Sequence, residues 1–289
     1  MSARALVMAC LFGGIVLTGV AVGCRATWSD ATALLRDRGA LIRSMLSMFI
    51  VAPILASIVA ATFDLHPAVK IALVASSVSP VPPFLPTKAI GAGGERQYVI
   101  GLLVAASVLS ILFVPLALDV FELVFALPLE ISPLRIARTV SITVLLPLAA
   151  GMLVRRFAPA LADRFAKPLG IIATALLGLG VVAILAKEGP GMWALVGNRT
   201  LLAMAVFAAA ALAVGHLLGG RIEGDRAALA LSTASRHPGV PIAIAAVNFP
   251  DQHLVVPAVL MLALVGMIVA APYLKWIGHA GVTVPGGTV

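Results

Sequence analysis

The sequence predicts an all-α polytopic membrane protein: about nine transmembrane helices, arranged as an inverted repeat with two discontinuous crossing helices. Three observations lead there. Of the 289 residues, 61% are hydrophobic and 11% charged, with a mean hydropathy of +1.11, where a soluble domain carries about 25% charged residues. The apolar stretches run to about 20 residues without strict alternation, which is the length of a spanning helix and not the pattern of a barrel strand. Two of the stretches are interrupted by clustered proline with a charge at the interruption. Paired interruptions in corresponding places are the sequence pointer to a transporter binding site.

Composition also excludes. A formal net charge of +8 in a soluble protein would point to nucleic acid. Here the basic residues sit mostly between apolar segments, as in loops facing anionic lipid, so the expected partners are the bilayer and a small-molecule anion, with no nucleic acid. There is no glycine-rich phosphate loop and no Cys/His cluster, and the apolar segments hold almost no acid. No metal, no cofactor and no enzymatic site are expected. Cys10 and Cys24 lie at opposite ends of the first segment, about 20 Å apart at helical rise, too far for a disulfide.

The first span is expected over 5–22, after Arg4. A cleavable signal peptide is the competing reading, disfavoured by the length of the apolar run. A basic connector, 25–43, follows, with Ser29 or Asp30 capping a short interfacial helix that contains Leu34 and Leu35. The second span, 40–62, holds Pro53. The third, 68–92, is broken, and Gly93 and Gly94 close it. The fourth covers 97–118, before a connector with Asp119, Glu122 and Glu130. The fifth covers 133–154 and stops at Arg155 and Arg156. The sixth, 168–186, precedes a Gly/Pro-rich loop at Glu188–Gly191. The seventh covers 200–218. The eighth, 227–249, is the second broken span, and the ninth, 254–274, ends at Lys275-Trp276. The tail, 281–289, reads as disordered.

Counting Lys and Arg on alternating sides gives thirteen on the side of the C-terminus and six on the other, with Arg236 at a break completing the twenty. The richer side is cytoplasmic by the positive-inside rule. The expected location is a bacterial inner membrane, N-terminus outside and C-terminus cytoplasmic. The broken spans are the third and eighth, five apart, so two units of opposite orientation are expected. Repeat one covers about 5–127 and lacks its first helix; repeat two covers about 133–277. Together they form one transmembrane domain.

The first break carries Ser79, Pro80, Pro82, Pro83 and Pro86, then Thr87 and Lys88. Ser76 and Ser77 precede it. The second reads Ser232-Thr233-Ala234-Ser235-Arg236-His237-Pro238-Gly239-Val240-Pro241. Prolines this dense cannot stay in one helix, because each removes a donor and clashes with the preceding turn. The exposed helix ends favour anions, and Arg236 and Lys88 strengthen that preference. The candidate substrate-binding residues are therefore Arg236, His237, Lys88, Thr87, Ser235 and Thr233. Plainer roles stand beside these: Lys88 snorkelling to the surface, the hydroxyls capping helix ends, and Arg236 holding exposed carbonyls of the other break.

Three stretches resemble the bile acid:sodium symporter family and its wider superfamily of arsenite exporters and auxin-type carriers: Leu11–Val20 through Asp30 and Leu34 to Pro53, Ser79–Gly94, and Ser232–Phe249. The resemblance implies a secondary transporter with two crossover helices. The family's first crossover carries a Ser-Asn pair that helps bind sodium; the matching places here fall near Leu85 and Pro86. The second crossover carries a Glu and, four residues on, a Gln; here they fall near Ser232 or Thr233 and Arg236 or His237. No carboxylate stands at either break, so the scaffold is expected without the sodium sites. The expected function is alternating-access carriage of a small organic or oxy-anion. A membrane ligand sensor or accessory subunit on the same scaffold is the alternative.

Overall fold

The computed structural model describes residues 3–125 and 131–279. The expected tail at 281–289, and Glu130, lie outside them. Among the described residues every regular element is helical. Seven helices among these residues are long and apolar enough to cross a membrane. They are α1 (Ala3–Gly23), α3 (Arg38–Thr62), α6 (Arg96–Phe125), α7 (Pro133–Phe157), α8 (Pro159–Ala194), α9 (Thr200–Leu218) and α12 (Val255–His279). A short helix α2 (Trp28–Arg36) links the first two. The other two expected spans are the broken ones. The first is split into α4 (Pro67–Ser77) and α5 (Leu85–Gly91), the second into α10 (Glu223–Ala234) and α11 (Gly239–Asn248).

Several boundaries differ from the sequence reading. The cap of α2 is Thr27, not Ser29 or Asp30. Asp30 is the third helical residue of a capping box, accepting from Thr27 N at 2.7 Å while Thr27 Oγ1 accepts from Asp30 N at 3.2 Å. Helix α6 runs on to Phe125, so Asp119 and Glu122 lie within it and not in a connector. The Gly/Pro-rich loop expected at Glu188–Gly191 is helical, because α8 continues through Pro168 and Pro190 to Ala194. A lone proline removes one intrahelical bond and bends a helix; it takes clustered prolines to end one. The turn comes later, at Gly197, Asn198 and Arg199, all with positive φ.

Two spans solve their prolines with a wide turn. In α3 the stretch Leu46–Val51 is π-helical, and Ala52 N bonds Ser47 O, five residues back. In α7 the stretch Ser141–Leu145 does the same, with Leu146 N on Ser141 O. A proline, Pro53 or Pro147, stands two positions after the end of each wide turn. The extra residue moves the pyrrolidine ring away from the carbonyl that it would strike.

Two packing groups stand out; α6, with α2 against it, touches both through α5 and α7, and α8 also touches α12. Helix α1 meets α7 and α8 through glycines, and α7 touches α8 in turn. A Cβ on Gly23 would overlap the Leu148 carbonyl, and one on Gly151 would overlap that of Val20. Small residues at such crossings let backbones meet, which is how helices associate without a hydrophobic driving force. The second group joins α3, α4, α5, α9, α10, α11 and α12. Within it α4 lies on α11, and α5 on α10. Each half of one broken span thus packs on the opposite half of the other, and the two spans cross at their breaks.

Candidate functional site

Clustered proline makes the crossing, because it strips carbonyls of donors. Ser79 O would ordinarily bond the N–H of residue 83 in a helix, or of 82 in a tighter turn, and both are proline. Met48 O loses its partner differently. Ala52 N is taken by Ser47 O in the wide turn, and the next residue, Pro53, has no N–H to give. Two buried carbonyls on two different spans are left without a main-chain donor, a costly condition where no water is at hand.

Arg236 meets both. Its Nη1 donates to Ser79 O at 3.0 Å and its Nη2 to Met48 O at 2.8 Å. The planar guanidinium spaces its donors as a fork, which lets one side chain serve two spans. The residue is 9% exposed. Its neighbour adds a main-chain tie, His237 N to Pro80 O at 2.9 Å. One further bond joins the same spans: Ser47 Oγ and Thr233 Oγ1 lie 2.8 Å apart, both buried. The plainer role weighed for Arg236, holding carbonyls of the other break, is thus present in the geometry.

Two donors are left over. Arg236 Nε and His237 Nε2 are buried without a hydrogen-bond partner among the described residues. The histidine tautomer follows from its other nitrogen. Nδ1 accepts from Gly239 N at 3.1 Å, so in the neutral ring the proton sits on Nε2. A Cβ at 239 would lie 2.9 Å from the imidazole Cε1, so a larger residue there would push the ring away.

The remaining candidates fall around this centre. Ser235 is half-buried in extended backbone at the break. Ser77 Oγ and Ser79 Oγ bond back to Val74 O and Ala75 O of their own helix, at 2.7 and 3.1 Å, a capping use. Pro80, Pro82 and Pro83 form the buried gap between α4 and α5, and Pro238 is the residue before α11. Pro86 and Pro241, expected among the breaks, do not break a helix. They sit in the first turns of α5 and α11, where a missing N–H costs nothing. Thr87 and Lys88 are exposed on α5, the Lys88 ammonium 6.0 Å from the Phe84 ring centroid.

A second junction ties the far ends of the broken spans, where Asp225 Oδ1 accepts from Glu95 N at 3.0 Å. Gly224 packs against the Gly93 carbonyl so closely that no side chain fits, and Gly93 itself has φ of 91°. Burial pushes the Asp225 carboxyl up to about 6, the Glu95 charge adding to this and the Glu95 N–H opposing it. Sequence reasoning passed over this acid as loop, and passed over Met48, whose signal was the proline five residues on.

Among the described residues no group of three His, Cys, Asp or Glu is placed to hold a metal. A sodium ion would need oxygens such as those of Ser79 and Met48, and the guanidinium already holds them. No Asp or Glu occurs in 46–53, 76–91 or 232–249. The crossing therefore does not fit a sodium site of carboxylate type. No curated protein matches the chain. The model of the sodium bile acid symporter family matches residues 14–194, which is more than half of the sequence and includes the whole first crossover, and the chain belongs to that family.

Proposed function

We propose that this membrane transporter carries a small organic or oxy-anion between its crossing helices without sodium, with the Arg236 guanidinium in the place of the ion. The observation that carries the reading is the pair of unmatched donors, Arg236 Nε and His237 Nε2, buried side by side in sequence at the crossing. Buried donors call for acceptors, and two donors beside a fixed positive charge select an anion. A guanidinium suits a carboxylate or oxyanion best. His237 serves as a neutral donor in this reading and not as the proton carrier. Opposite halves of the two broken spans packed on each other support the inverted repeat, with units at about 5–127 and 133–277. The excess of Lys and Arg on one side supports a bacterial inner membrane with the C-terminus cytoplasmic.

The test is uptake into proteoliposomes from a panel of monocarboxylates and oxyanions, with sodium or choline outside. Expected is uptake of at least one anion at equal rates in the two salts, and its loss in Arg236→Ala. Strong sodium dependence would overturn the reading, as would undiminished uptake by Arg236→Ala.

A further inference from the structure

Helices α9 and α12 pack side by side up to their C-terminal ends, on the arginine-rich side. Between them lies an open groove of about 440 Å³. Its floor is apolar: Ala209 and Ala213, one turn apart on α9, stand beside Leu212 and Leu217 of the same helix and Val269 and Pro272 of α12. Its rim is aromatic. His216 Nδ1 and Tyr273 Oη lie 2.9 Å apart, and their rings meet edge to face at 5.8 Å. Trp276 completes the cluster, 5.5 Å from His216 and 6.0 Å from Tyr273. Tyrosine and tryptophan concentrate at the headgroup level of a bilayer, with an apolar body and a polar tip.

Charge at the rim has a sign. Arg226, at the start of α10, donates through Nε to Gly220 O at 2.7 Å and packs against Gly219, three residues after His216. Arg221 is exposed in the same turn. Of the two acids in the same turn, Glu223 is exposed and Asp225 is turned to Glu95 N. A cation is therefore disfavoured in spite of the rings. We infer that the groove holds an acyl chain of one anionic phospholipid, with the headgroup phosphate against Arg226. The apolar floor at membrane depth, the aromatic rim at headgroup height and the arginine above it match that molecule from tail to head. The lipid would also bear on the crossing. Arg226 belongs to α10, and α9 meets α10 at backbone distance through Gly215 and Gly219.

Trp276 supplies the readout. The chain has three tryptophans, so Trp28→Phe with Trp193→Phe leaves Trp276 alone at the rim. The full chain in nanodiscs is titrated with dibrominated phosphatidylglycerol or dibrominated phosphatidylcholine, and quenching is read. Expected is half-quenching at about five-fold lower mole fraction of the glycerol lipid, the equivalent of the ~1 kcal/mol that one basic residue contributes at a lipid surface. Arg226→Gln should make the two lipids equal. Ala213→Leu, which fills the floor and leaves the charge, should abolish the preference; Ala209→Leu repeats that arm should Arg226→Gln fail to assemble. Equal quenching in the parent, or a preference that survives filling of the floor, overturns the site.

Discussion

Replacing Arg236 with alanine leaves Ser79 O and Met48 O without a donor, since proline has removed every main-chain alternative. Each buried unsatisfied carbonyl costs about 1–3 kcal/mol, so the pair amounts to about 2–6 kcal/mol. A chain of this size loses about 2–4 °C of Tm per kcal/mol, and thermal unfolding of the purified protein in detergent should fall by roughly 4–24 °C. Arg236→Lys keeps the charge as a compact ammonium that reaches one carbonyl, and should lie between wild type and alanine. The sharper test is a double-mutant cycle with Pro53→Ala. An N–H at 53 lets α3 return to ordinary helical bonding and gives Met48 O its own donor. The cost of Arg236→Ala should then shrink by one carbonyl, a coupling of about 1–3 kcal/mol. If Arg236→Ala melts within about 1 °C of wild type, or if Pro53→Ala leaves its cost unchanged, the guanidinium is not holding the two spans together.

The other predictions concern packing, hydroxyl pairing and pH. Gly151→Val puts a branched side chain against the Val20 carbonyl and should prevent assembly of α1 on α7, read as loss of the monodisperse peak in size exclusion. Gly178→Ala meets nothing within 4 Å and should raise stability by about 0.5–1 kcal/mol through reduced unfolded-state entropy. Thr233→Val orphans the buried Ser47 hydroxyl and should cost about 1–3 kcal/mol in the same melting assay. The folded pKa of Asp225 is raised, to about 6 from 3.8. Folding therefore takes up a proton between those values, and the stability owed to this group is greatest below pH 4 and falls as pH rises through 6. Asp225→Asn keeps an acceptor for Glu95 N, and should flatten that part of a Tm-against-pH profile.

Both breaks could be read from the chain because proline acts locally: it deletes a donor in its own sequence neighbourhood, whatever the fold. The same logic failed at Pro190, where a single proline in a long apolar run bends α8 without ending it, and at Asp119, which helix α6 simply carries beyond the apolar core. What Arg236 touches could not be read. Ser79 and Met48 lie 157 and 188 positions away in sequence, and only the packing of three spans brings them to one point. Pro53 did leave a trace, since a proline five residues after Met48 marks a carbonyl in need of a donor, but nothing local names which side chain supplies it. Lys88 shows the converse, a charge beside a break that the fold turns outward.

The cation at the crossing is tethered to the chain. A coupling ion arrives from one side and departs on the other, and its electrochemical gradient does work on each cycle. Arg236 cannot depart. On the function proposed above, the energetics of one turnover contain the substrate alone. For a univalent anion, 100 mV across the membrane is worth about 2.3 kcal/mol. Such a carrier comes to rest with the anion about fifty-fold more dilute on the electrically negative side. On that proposal, a carrier facing a cytoplasm of that sign serves as an exit or an exchange route, and accumulates no anion inside without a counter-substrate.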